Sequence, residues 1–168
     1  FGLTCFCSAS CQFAGMNLED MRRNYADRSL DLTNLDANPF TQFDQWMRVA
    51  IETEILEPNA MSLATADASG RTNLRTVLLK GFDHRGLVFY TNYESSKARD
   101  IAENPRLALS FTWLPLERQI IITGRAEKIP ATESLKYFLS RPRDSQIGAW
   151  ASRQSEVIST RSMLETKF

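Results

Sequence analysis

Three short stretches hold residue types suited to gripping a phosphate ester. In RTVLLK, Arg75 to Lys80, two cations bracket four mostly apolar residues. Side chains alternate along a strand, so Arg75, Val77 and Leu79 would share one face and Thr76, Leu78 and Lys80 the other. That pattern suits a ligand with a charged end and an apolar ring, and equally a half-buried strand with cations at its wet ends. Tyr90 and Thr91, followed by Ser95, Ser96 and Lys97, bring hydroxyls, an ammonium and the free amides of a helix start. Those make either an anion site or an ordinary Ser cap. Tyr137 and Arg141 lie one helical turn apart on the same side, and Ser145 follows the break at Pro142. Phenol, guanidinium and hydroxyl could converge on a phosphate. The same residues could form a solvated helix end with Arg141 near the last carbonyls.

Other polar residues are less directive. Gln119 interrupts a strongly β-forming run, RQIII, and needs partners if buried. It is either an edge residue or a hydrogen-bonder to a heterocycle. Gln154 and Ser155 could be no more than a helix cap. His84 sits in a turn, FDHRG, and reads as a surface residue. Trp46, Trp113 and Trp150 read as core or interface packing.

Composition narrows the classes. The chain has 168 residues with 20 Lys+Arg against 20 Asp+Glu, a net charge of zero. Coating nucleic acid or an anionic membrane needs a basic excess, so neither is a predicted partner. No apolar run approaches the ~20 residues of a membrane span. The single His excludes multi-His metal sites, and no metal is predicted. All three cysteines, Cys5, Cys7 and Cys11, lie in the first 15 residues, which carry no charge. Residues 1–15 read as a leader or upstream sequence outside the fold, and 16–38 as a polar N-terminal arm. The domain is then 39–168.

The elements that must position these residues follow from periodicity. Asn38-Pro39 starts a helix, with Phe43, Trp46, Met47, Ala50, Ile51 and Ile55 as its apolar stripe and Pro58 as its stop. Strands are predicted at 60–66, 71–80, 87–91, 106–113 and 118–129, with turns at 67–70 and 81–86. A short helix spans 95–105, and further helices are predicted at 131–140, in the later part of 141–152, and at 155–168. Strands with hairpin-length gaps and no regular helical crossover predict a mainly β, α+β fold, an antiparallel barrel or sheet with flanking helices.

Taken together, RTVLLK, FYTN with SSKA, LERQ, KYF, SRPRDSQIGAW and the following S-x-Q-S resemble the pyridoxine/pyridoxamine 5′-phosphate oxidases. The resemblance runs from about Met21 to Phe168. It implies an FMN-binding split β-barrel that works as a cytoplasmic homodimer with FMN at the interface. Members oxidise pyridoxine 5′-phosphate or pyridoxamine 5′-phosphate to pyridoxal 5′-phosphate. A hydride passes to the flavin, and oxygen reoxidises it to give hydrogen peroxide. No side chain need be catalytic, since the flavin carries the redox chemistry. By this resemblance Arg75, Thr76, Val77, Leu78, Leu79, Lys80, Tyr90, Thr91, Ser96, Lys97 and Gln119 contact FMN, with Arg75 and Lys97 at its phosphate. Gln154 and Ser155 do so from the partner subunit. Lys80, Tyr137, Arg141 and Ser145 hold the substrate phosphate, and Arg22, Arg23, Asn24 and Tyr25 close over the site.

The sequence departs from the family pattern in two places. Ser96 stands where many members carry Arg. Members also continue past the position of Phe168 into a segment with a flavin-contacting Trp and a substrate-contacting R-x-H motif. The alternative expectation is therefore a non-catalytic split barrel that binds FMN or pyridoxal phosphate. A barrel binding single-stranded nucleic acid is disfavoured by the zero net charge.

Overall fold

The computed structural model describes residues 30–143 and 146. Those from Asp31 onward belong to one unit, and the fold below is that unit's. Arg22, Arg23, Asn24, Tyr25, Ser145, Gln154 and Ser155 lie outside the described residues, as do the cysteines, Trp150 and the helix predicted at 155–168.

The first helix, α1 (Pro39–Glu52), begins where the Asn38 side chain accepts a hydrogen bond from the Phe40 amide at 2.9 Å, with Pro39 in the first turn. It stops short of Pro58. The Thr53 hydroxyl bonds back to the Val49 carbonyl at 2.7 Å, and Glu54 takes a left-handed conformation, φ 54°. Phe43, Met47 and Ala50 are buried as the stripe predicts, but Ile51, at the frayed end, is 59% exposed.

Strands β1 (Ala60–Ala66) and β2 (Thr72–Leu78) form a hairpin over the predicted turn. Asp67 Oδ1 closes that turn by accepting from the Ser69 and Arg71 amides at 2.9 and 3.0 Å, and Gly70 supplies φ 84°. The register pairs Met61 with Val77, Leu63 with Arg75 and Thr65 with Asn73, so these six share the inner face.

The 81–86 turn expectation is corrected. Gly81–Asp83 is a short strand, β3, paired antiparallel with β4 (Gly86–Val88), and only His84-Arg85 turns. The third strand is correspondingly shorter than the predicted 87–91. The six residues mix turn formers with one apolar side chain, Phe82, and that side chain decides the outcome. It packs edge-on against Phe43 at 4.9 Å, which ties the hairpin to the core.

Helix α2 (Ser96–Glu103) and strands β5 (Arg106–Trp113) and β6 (Arg118–Arg125) complete the barrel wall, and α3 (Ala131–Ser140) follows. Sheet order is β2-β1-β5-β6, all neighbours antiparallel. The core lies on the inner face, where Met61, Leu63, Leu109, Phe111 and Trp113 meet the α1 stripe. Trp113 satisfies its indole N–H on the Pro58 carbonyl at 2.9 Å. The outer face carries small residues such as Ser62, Ala64, Ala108 and Ser110. Leu74 and Ile121 flank them, 71% and 64% exposed. Among the described residues no helix is long and apolar enough to cross a membrane.

Candidate functional site: an anion-binding cleft

An open cleft of about 2110 Å³ runs between β2, the β4–α2 connection, the end of β6 and α3. That is larger than the roughly 300–1,000 Å³ of a single small-molecule pocket, as an open groove is expected to be. Seven Lys and Arg residues line it against three Asp and Glu, so a neutral chain concentrates its positive charge here.

Of the residues singled out by sequence, Arg75, Thr76, Val77, Leu78, Lys80, Tyr90, Thr91, Lys97, Tyr137 and Arg141 all line this cleft. Three do not. Leu79 is 5% exposed and belongs to the core. Ser96 opens α2 and is not a lining residue. Gln119 is exposed on the edge strand β6, opposite Thr112, and projects on the same outer face as Ile121. Its side chain thus has no buried amide to satisfy.

Arg75 is the most constrained cation of the cleft. Its Nη1 donates to Thr65 Oγ1 at 2.6 Å, to the Leu63 carbonyl at 3.2 Å and to the Asn73 carbonyl at 3.3 Å. Its Nη2 lies 3.5 Å from Asp100 Oδ2, an ion pair in which the Arg75 side chain keeps 19% of its surface. Asp100 Oδ2 also accepts from Thr65 Oγ1 at 2.6 Å and Asn73 Nδ2 at 3.0 Å. Burial pushes the Asp100 carboxyl up, but the Thr65 and Asn73 hydrogen bonds and the Arg75 charge outweigh it, and the net shift is downward. Lys97 lies on the same helix one turn before Asp100. Burial first, then the Arg75 charge, lowers its pKa. The two positive charges act on one another, and an anion between them would relieve that repulsion.

The start of α2 is built for that neighbourhood. Ser95 is fully buried and caps the helix, its Oγ accepting from the Ala98 amide at 3.4 Å. The Ser95 hydroxyl is also 3.3 Å from Thr91 Oγ1, which ties the β4–α2 connection to the helix.

Across the cleft, Tyr90 and Tyr137 stack face to face, centroids 3.7 Å apart and planes 3° from parallel. Burial, with Glu133 and Tyr137 nearby, raises the Tyr90 phenol pKa. Arg141 ends α3 in an extended conformation, as a residue before proline must. Gln146 then fixes the turn, its Nε2 donating to the Arg141 carbonyl at 2.8 Å and its amide to the Pro142 carbonyl at 3.0 Å.

Asp100, Thr65, Asn73 and Gln146 were not singled out by the sequence reading. Thr65 and Asn73 were legible in principle, as polar residues on the inward side of an otherwise apolar hairpin. Asp100 was hidden in a charged helix, and only its burial marks it.

A split antiparallel barrel with a cationic, aromatic-walled cleft has the chemistry to suit phosphorylated ring compounds. Comparison with known proteins narrows the class. Residues 47–168 match the Pyridoxamine 5′-phosphate oxidase family, and the chain belongs to that family. It is 58% identical over 153 residues to the Pyridoxine/pyridoxamine 5′-phosphate oxidase of Aliarcobacter butzleri, covering 91% of this chain and 72% of that protein. The protein of the same name from Burkholderia mallei is 53% identical over 150 residues, 89% of this chain and 70% of that one. Among solved structures, PhzG from Burkholderia lata, in complex with tetrahydrophenazine-1-carboxylic acid, superposes with a TM-score of 0.77. It is 28% identical, over 80% of this chain and 67% of that one. A pyridoxamine 5′-phosphate oxidase-related, FMN-binding protein from Nostoc punctiforme shares the fold, with a TM-score of 0.59 and 17% identity over 78% and 73% of the two chains.

The family is one of oxidoreductases, and its cofactor is FMN. The residues present fit that group. Arg75 and Lys97 beside the α2 start suit its phosphate, and Val77 and Leu78 offer apolar surface to its rings.

Proposed function

We propose that this protein oxidises pyridoxine 5′-phosphate or pyridoxamine 5′-phosphate to pyridoxal 5′-phosphate in the cytoplasm, with oxygen as acceptor and hydrogen peroxide as product. The observation that carries this reading is the convergence of Arg75, Lys80, Lys97, Tyr137 and Arg141 on one cleft. It occurs in a chain 53–58% identical to proteins of that name.

When bound, FMN would supply the two-electron redox chemistry of this oxidation. The chain's own residues do the rest by binding and orienting. Arg75 and Lys97 hold the cofactor phosphate through charge-assisted hydrogen bonds. Thr76, Val77, Leu78, Tyr90 and Thr91, which line the cleft, would contact the flavin, and Ser96 at the start of α2 would reach it only from outside the lining. Lys80, Tyr137, Arg141 and Ser145 hold the substrate phosphate. Gripping this remote group converts its binding energy into orientation of the reacting carbon. Arg22, Arg23, Asn24 and Tyr25 are further substrate-binding residues in this reading. In a homodimer, Gln119, Gln154 and Ser155 complete the flavin site. Exposed Gln119, directed away from its own chain's core, suits that role.

The test is direct. The purified chain is loaded with FMN, freed of excess and given pyridoxine 5′-phosphate in air. A retained flavin band, with pyridoxal phosphate and peroxide appearing together, is the expected result. Retained flavin with neither product would support the non-catalytic binding alternative instead. No retained flavin would overturn both.

A further inference from the structure

We propose that Asp100 is a positioning residue for the cofactor phosphate: from beneath the cleft it locks the Arg75 guanidinium in place through a closed ring with Thr65. The inference rests on the reading that Arg75 holds the FMN phosphate.

A carboxylate this near an anion site is unexpected on charge alone, since it repels the phosphate that Arg75 and Lys97 attract. Asp100 is nevertheless 5% exposed and turned toward Arg75 rather than to solvent. The hydrogen-bond directions explain what it does there. Thr65 has one hydroxyl proton. It is given to Asp100 Oδ2 at 2.6 Å, so the Thr65 oxygen can only accept toward Arg75, and it takes the Nη1 proton at 2.6 Å. The Nη2–Asp100 ion pair at 3.5 Å closes the ring. Asn73 adds a second donor to the same oxygen at 3.0 Å, and its own carbonyl accepts from Arg75 at 3.3 Å.

An arginine side chain otherwise surrenders rotamer entropy when it is fixed on a ligand. Here that ordering is already done in the free protein. Because Asp100 sits on α2 with Lys97, the ring also sets the distance between the two cations that would share the phosphate. Charge alone makes Asp100 harmful to FMN binding. A purely structural role makes it neutral toward FMN, and positioning makes it necessary.

These roles separate by titrating the full chain with FMN and with riboflavin, which lacks the phosphate, and following flavin fluorescence. Asp100→Ala is expected to weaken FMN about tenfold or more, as for a charged hydrogen-bond partner lost. Riboflavin affinity should move less than about twofold by the same arithmetic. In an Arg75→Gln background, adding Asp100→Ala should change FMN affinity less than about twofold, the signature of one residue acting through another. Asp100→Asn keeps an acceptor oxygen and should restore most of the affinity.

Should Asp100→Ala fail to fold, Thr65→Val removes the relay hydroxyl at nearly constant volume and should weaken FMN in the same phosphate-dependent way. Equal or tighter FMN binding by the folded Asp100→Ala or Thr65→Val protein would overturn the inference. So would equal losses for FMN and riboflavin, or an undiminished loss in the Arg75→Gln background. If Arg75→Gln alone left FMN affinity unchanged, the Arg75 reading itself would fall, and the inference with it.

Discussion

At the residue scale, the cations of the cleft are coupled to one another, and pH exposes the coupling. Burial and Arg75 hold the Lys97 pKa below its ordinary 10.5, so the free protein gives up that proton early. A bound phosphate favours the charged form and draws the proton back. FMN affinity should therefore fall as pH rises through the lowered Lys97 value, and Lys97→Met should flatten that alkaline limb. Flavin titrations from neutral pH upward through the alkaline range to the ordinary lysine value of 10.5 read it directly. A wild-type affinity that is level across that range would contradict the assignment of Lys97 to the phosphate. Asp100 titrates at the other end. Its folded pKa lies below 3.8, so the unfolded chain takes up the proton first. The stability it contributes is complete well above 3.8 and is lost as pH falls through the folded value. Asp100→Asn should thus shallow the acid limb of a stability-versus-pH curve measured by urea unfolding, with its loss of stability largest near neutrality and fading as pH falls through the folded value. An acid limb unchanged in the variant would show that other carboxylates set it.

At the element scale, the sequence was most readable where one pattern ruled alone. Strands β1 and β5 and helix α3 have the ends that alternation, turn residues and proline predict, whereas β2 stops at Leu78 and β6 at Arg125, short of the predicted 80 and 129. The β3–β4 hairpin was not readable in that way. Its three-residue strands are too short for a period to show, and one aromatic contact made at long range, Phe82 on Phe43, holds it. The site divided along the same line. Residues carried on regular elements, such as Arg75 on β2 and Tyr137 on α3, could be placed on faces from spacing. Asp100 could not, because nothing local distinguishes a buried acid from a solvated one on a charged helix. Ser95 is the case where local chemistry and tertiary role coincide. It caps α2, is fully buried and meets Thr91. Ser95→Ala should cost about 0.5–2 kcal/mol of stability, measured by denaturant titration, from loss of the cap. It should also weaken FMN more than riboflavin, since the helix start carries Lys97. A stability loss without that discrimination would make Ser95 a cap and nothing more.

At the scale of the whole molecule, the open question is what meets the outer face of the four-stranded sheet. Its centre is flat and small, with Ser62, Ala64, Ala108 and Ser110, and Leu74 and Ile121 stand up on either side, 71% and 64% exposed. Gln119 projects from the same face, on the same strand as Ile121. A second copy seated there would bury the two apolar side chains, worth roughly 1.5–3 kcal/mol each when fully covered. It would also bring Gln119 of one chain toward the flavin of the other, joining dimerisation to cofactor binding. Ile121→Glu puts a charge where that interface would be driest, while leaving the inner core untouched. Sedimentation should then show the wild-type chain at twice 19.1 kDa and the variant at 19.1 kDa. The monomer should lose most of its FMN affinity even though Arg75, Lys97 and Asp100 remain in place. A variant that stays dimeric would move the interface to another face. A monomer that binds FMN as tightly as wild type would mean that one chain builds the cofactor site by itself, and that Gln119 has no part in it.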